Sequence, residues 1–230
     1  MKLQRRVYLL NSADTSFINR KMLLPIVILL GYLIGSIPTA VWVGKAFHGC
    51  DIREHGSKNA GATNTFRVLG RRSGWFVLII DVSKGVLAAC LPHFFTHMLV
   101  GYKDEFLILQ LCASFSAVFG HVFPIFAHFR GGKGVATSLG IVIGINPYAA
   151  VVCLALFLVV FLSSRYVSLG AITAALSFPF ISYFMINEDA RIMIVFTVVL
   201  GLLVILAHRK NIERLWKGEE NKMNLFSKKA

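Results

Sequence analysis

The residues best equipped for chemistry fall in three short polar stretches, each beside an apolar run. The first, DIREHGSKNAGATNTFRVLG at 51–70, places Gly56, Ala60, Gly61 and Ala62 where backbone amides can approach a ligand. Ser57, Asn59, Thr63 and Asn64 surround them with hydrogen-bonding groups, and Lys58 and Arg67 add positive charge. Convergent N–H groups beside a cation are what a phosphate requires, so this loop reads as an anion site. The second stretch, GGKGVATS at 131–138, opens an apolar run with Gly131, Gly132 and Lys133. It is not a nucleotide-binding P-loop: Ala127 stands where the first glycine of that motif belongs, and Gly134 where Ser or Thr must follow the lysine. Glycines at a helix N-terminus still suit an anion, because the unpaired amides and the helix dipole both favour negative charge. The third stretch, HRKNIERLWKGEE at 208–220, follows the last apolar run. In a continuing helix His208 and Asn211 share a face at i, i+3. The competing reading of this stretch is a basic amphipathic tail lying on lipid headgroups.

The elements that must position these stretches are membrane helices. Hydrophobic residues make up 56% of the chain and charged residues only 15%, too little polar surface to cover a soluble core. Mean hydropathy is +0.69. The net charge of +13 is gathered between apolar runs, which fits anionic headgroups and argues against nucleic acid. Apolar segments at about 22–44, 74–98, 106–128, 135–146, 147–163, 167–186 and 191–207 predict an all-α bundle of seven spans. The fourth and fifth runs are short and meet at Asn146-Pro147, so a single re-entrant unit, with five full spans, is the alternative. One membrane domain over 22–215 is expected, with a polar basic extension at 1–21 and a basic tail at 216–230. Lys45, Arg53, Lys58, Arg67, Arg71, Arg72, Arg130, Lys133, Arg165 and seven basic residues after 207 fall on one side of the seven-span layout. The positive-inside rule makes that side and the C-terminus cytoplasmic and the N-terminus external. The basic residues before 22 run against this assignment.

Within the second span, Asp81 and Lys84 lie three apart, the spacing of an intramembrane ion pair facing the bundle interior. His121, after Gly120 in the third span, reads as a packing or hydrogen-bonding histidine. The scattered Cys50, Cys90, Cys112 and Cys153 have neither disulfide-framework nor zinc-ligand spacing. No metal or organic cofactor is implied.

GSKNAGATNTFR at 56–67, DVSKG at 81–85, GHVFPIFAHFRGGKGVAT at 120–137 and HRKNIERLWKGEE at 208–220 resemble the PlsY-type acyl-phosphate:glycerol-3-phosphate acyltransferase family of bacteria. GSIP at 35–38 and SRYVSLG at 164–170 agree in order and spacing. The resemblance implies transfer of an acyl group from acyl phosphate to the 1-hydroxyl of glycerol 3-phosphate at the bacterial inner membrane, giving lysophosphatidate and phosphate. The upstream partner would be an enzyme that forms acyl phosphate. The resemblance implies that His208, Asn211, Lys133 and Arg67 act in catalysis. Ser57, Asn59, Gly61, Thr63, Asn64, Lys84, Gly131, Gly132, Ser168 and Glu213 would bind substrate. The His-x-x-x-x-Asp pair of another glycerolipid acyltransferase family is missing; the nearest approach, His208 to Glu213, ends in Glu. The rival function is a membrane transporter for an organic phosphate, which the buried charges and short spans would also suit.

Overall fold

The computed structural model describes residues 22–98, 103–185 and 190–223, and these are helical apart from short connections. The predicted extension at 1–21 lies outside the described residues, as do the connections at 99–102 and 186–189 and the end of the tail. Helix α1 covers 22–35 and α2 Thr39–His48. A seven-residue helix α3, Ala62–Val68, precedes α4, Arg71–Cys90. Then follow α5, Lys103–Val122; α6, Val135–Ile145; and α7, Pro147–Ser164. The last three are α8, Val167–Met185; α9, Ala190–Ala207; and α10, Arg209–Trp216.

Helix length does not by itself confirm the count of seven spans, in which the fourth and fifth are short or re-entrant. Five segments are long and apolar enough to span, namely Met22–His48, Arg71–Thr96, Lys103–Ala127, Pro147–Ser164 and Val167–Met185. The pair α9–α10, bent by 62°, makes a sixth when counted as one broken span. Helix α6 has only 11 residues, roughly 16 Å at 1.5 Å per residue, about half of the hydrocarbon core. Asn146 then begins α7: its side chain accepts from the Ala149 amide at 2.9 Å, and Pro147 occupies the first helical position. The outward faces carry the apolar residues that lipid accepts, such as Val159, Leu162 and Leu206.

Two details explain how polar groups survive inside this bundle. The helix breaks at Pro38 between α1 and α2, and there the Ile37 carbonyl accepts both from the Thr39 amide and from Lys84 Nζ, each at 3.0 Å. The same ammonium lies 2.9 Å from Asp81 Oδ1, which also accepts from Thr39 Oγ1 at 3.1 Å. Both charges are therefore paired and hydrogen-bonded, as burial demands. Helices α4 and α6 pack backbone to backbone: a Cβ on Gly85 would overlap the Thr137 carbonyl, and one on Gly140 the Val82 carbonyl.

Candidate active site

The 49–61 loop is held by its own side chains. Buried Asn64 donates its amide to the carbonyls of Ile52, His55 and Asn59 at 3.0–3.1 Å and accepts from the Ser57 amide at 2.9 Å. Arg53 grips Asp51 in two bonds of 2.9 and 2.6 Å and donates to the Ala127 carbonyl at 2.8 Å. That one guanidinium ties the first polar loop to the second. Its hydrogen bonds and charge hold the Asp51 carboxyl well below the usual carboxylate range, against the opposing effect of burial.

The second loop turns back onto the end of α5. Gly131 and Gly132 amides donate to the carbonyls of Val122 and His121 at 3.2 and 3.1 Å. The His121 ring packs directly beneath Gly132, where a Cβ would overlap Nε2, and its Nδ1 lies 3.2 Å from Thr137 Oγ1. Lys133 is thereby projected toward α10, where its ammonium donates to Asn211 Oδ1. Burial lowers the Lys133 pKa to about 8, with Arg214 and Arg67 pushing the same way and Glu220 opposing.

A polar hub completes this face. Glu220 Oε1 accepts from Asn211 Nδ2 at 2.6 Å and from Ser168 Oγ at 2.8 Å, while Oε2 accepts from Arg214 Nε at 2.8 Å. Burial opposes ionisation of Glu220, but these three donors outweigh it and lower its pKa. His208, 3% exposed, sits at the bend between α9 and α10. Its Nδ1 lies 2.8 Å from the Val204 carbonyl, so that nitrogen carries the proton in the neutral ring and Nε2 is left as acceptor. Four segments thus converge: the loop before α6, the start of α8, α10, and the turn after it.

Residues 25–218 match the glycerol-3-phosphate acyltransferase family. The chain belongs to that family. It is 44% identical over 215 residues to the glycerol-3-phosphate acyltransferase of Salinibacter ruber, covering 88% of this chain and 93% of the relative. It also resembles the crystal structure of PlsY, an integral membrane glycerol 3-phosphate acyltransferase, in its glycerol 3-phosphate form. There the TM-score is 0.76 at 35% identity, over 88% of this chain and 98% of the other. The lysophosphatidic acid form of the same enzyme matches with a TM-score of 0.73 at 33% identity, over 86% and 94% of the two chains. This protein is accordingly a membrane-embedded acyltransferase of glycerol 3-phosphate, and phospholipid synthesis is the pathway that product serves.

Within that family assignment, the predicted residues divide. Lys133, Asn211, Ser168 and His208 come together at the hub, and Arg67, half-buried on α3, acts electrostatically on Lys133. Ser57, Asn59, Gly61 and Thr63 stand on the first loop and the opening of α3, with the Gly61 carbonyl receiving the Asn64 and Thr65 amides. Asn64 differs from the expectation because its polar atoms are committed to shaping that loop. Gly131 and Gly132 differ too: their amides point to α5 carbonyls, and the glycines allow close approach to His121. Lys84 is taken up by Asp81 and the Ile37 carbonyl at the α1–α2 break. Glu213 faces solvent and pairs with Lys217 at 2.7 Å. The acid that reaches the hub is Glu220, with Gly218 at φ 72° turning the chain back toward it. Sequence reasoning missed Glu220 and Arg53; the signals were the Gly218 turn and the Asp51-x-Arg53 spacing.

Proposed function

We propose that the acyl donor is acyl phosphate and that the hub holds the two phosphate groups at the moment of transfer. The observation that carries this reading is the Lys133–Asn211–Glu220 chain of contacts, which holds a half-buried cation in electrostatic reach of His208, whose Nε2 is left as acceptor. Lys133, Arg67 and Ser57 supply charge and donors for the phosphates, offsetting their mutual repulsion. The 1-hydroxyl oxygen of glycerol 3-phosphate forms the new ester bond to the acyl carbon. The bond from that carbon to the phosphate oxygen breaks, and phosphate departs with the electron pair. The hydroxyl proton passes to the leaving phosphate or to His208 Nε2. Acyl phosphate already carries a good leaving group, so positioning and electrostatics replace an acyl-enzyme.

The active face is cytoplasmic in this reading, supported by the basic residues of the loops at 45–73 and 129–134 and of the tail. An acyl-phosphate-forming enzyme is then the upstream partner. The test is to offer purified protein labelled glycerol 3-phosphate with either palmitoyl phosphate or palmitoyl-CoA. Lysophosphatidate with stoichiometric phosphate from the first donor is the expected result; turnover with the thioester and none with the phosphate overturns the reading.

A further inference from the structure

Helix α10 has two unlike exposed edges in addition to its inner one. Asn211 and the preceding His208 face the hub and are buried. At 3.6 residues per turn, Ile212, Leu215 and Trp216 fall along one flank, while Lys210, Arg214 and Lys217 fall along the other with Arg209 between them. Trp216 is 92% exposed and Ile212 38% exposed, and Arg209, Lys210 and Lys217 are also exposed. The helix begins directly after the last apolar helix and bends from it by 62°. A short helix turned away from its span, with an apolar edge ending in Trp and a basic edge beside it, has the form of an interfacial helix. Nothing in the hub uses Arg209, Lys210, Ile212 or Trp216.

We infer that α10 docks on anionic phospholipid headgroups of the leaflet beside the site, and that this docking sets the activity of the hub. The coupling follows from one helix carrying both surfaces. Asn211 bonds Lys133 and Glu220 from the inner face, so motion of α10 moves both contacts. Ile212 and Trp216 enter the headgroup boundary, and Arg209 and Lys210 meet lipid phosphates, while Lys217 is paired with Glu213. The regulatory half rests on the acyl-transfer reading given above; the docking half does not. Because the product class is itself an anionic lipid, accumulation of product in the leaflet would strengthen docking and sustain turnover.

The test uses the full chain in nanodiscs of phosphatidylcholine, with and without about one-third phosphatidylglycerol. In a Trp42→Phe, Trp75→Phe background, Trp216 emission reports docking through quenching by lipids brominated near the headgroup. Each basic residue near an anionic surface strengthens binding by about fivefold, so Arg209→Gln with Lys210→Gln should weaken docking roughly 30-fold. Anionic lipid is expected to increase Trp216 quenching and to raise kcat/KM severalfold. The double variant should keep the activity seen in neutral lipid and lose the increase. Quenching that ignores lipid charge overturns the docking; quenching that responds while kcat/KM does not overturns the regulation. Loss of acyl transfer in every lipid, with quenching intact, would count against the acyl-phosphate reading and the regulation built on it, leaving the docking supported.

Discussion

Replacing Glu220 by Gln tests the hub at the point where its bonds meet. The carboxylate accepts from Ser168, Asn211 and Arg214, and its side chain is 8% exposed. An amide keeps one acceptor oxygen but turns an NH₂ donor toward groups that are themselves donors. Hydrogen bonds to a charged group contribute about 1.5–3 kcal/mol each, and neighbouring bonds do not add fully. A loss of about 3 kcal/mol in transition-state stabilisation, roughly 150-fold in kcat/KM, is therefore expected. The variant has a second signature, in pH. Glu220 is the group that holds the Lys133 proton against burial and two arginines. Lys133 is charged below its pKa of about 8 and loses its charge above it, so kcat/KM for glycerol 3-phosphate should fall on the alkaline side of about 8 in the parent protein. Without Glu220 the Lys133 pKa drops, and the falling limb moves to lower pH. Steady-state assays with palmitoyl phosphate and labelled glycerol 3-phosphate from pH 6 to 10 measure both effects, with circular dichroism verifying helix content. A folded variant within threefold of the parent, with its alkaline limb unmoved, would refute this account of the hub.

Three further substitutions probe the supports. Gly132→Ala forces a methyl group into the His121 ring, so overpacking should cost about 1–3 kcal/mol of stability and raise the KM for glycerol 3-phosphate by displacing Lys133; thermal unfolding and kinetics read the two separately. Arg53→Ala removes the tie between Asp51 and the Ala127 carbonyl, at a cost of about 2–3 kcal/mol, and should increase protease cleavage at 125–130 before it alters helix content. His208→Gln keeps a donor for the Val204 carbonyl and leaves a weakly basic oxygen in place of Nε2. A fall in kcat identifies His208 as proton acceptor, whereas a raised KM at constant kcat identifies it as a binding residue.

Much of this organisation is readable from residue order because the membrane simplifies the physics. Apolar runs locate the helices, and the Asn146-Pro147 pair locates the turn between α6 and α7. Span count is less legible: the 11-residue α6 is too short to cross the hydrocarbon core alone, while its 18-residue neighbour α7 is long enough. At the site, Lys133 and Asn211 were recognisable by type and setting, and the i, i+3 relation of His208 to Asn211 survives even though the helix bends between α9 and α10. Glu213 and Glu220 could not be separated by the same reasoning. Helical spacing favours the nearer acid, while the bond to Asn211 comes from a non-helical segment whose direction depends on one turn at Gly218. The glycines at 131–132 show a parallel ambiguity. Gly allows an amide to approach a phosphate and equally allows a backbone to lie on a histidine ring, and only the packing around His121 distinguishes the two.

The clasp between Ser168 and Glu220 closes a circuit that runs through α8, α9 and α10. Its last contributor, Glu220, follows every described span in the chain, so the hub is completed by a segment outside the bundle of spans. A chain cut after α10 would keep α1 to α10 and Lys133 while Asn211 and Lys133 lack their acidic neighbour. Such a chain holds its cationic loops at the bilayer surface without the geometry that orders them. In the acyl-transfer reading proposed above, turnover therefore depends on a segment that follows every described span.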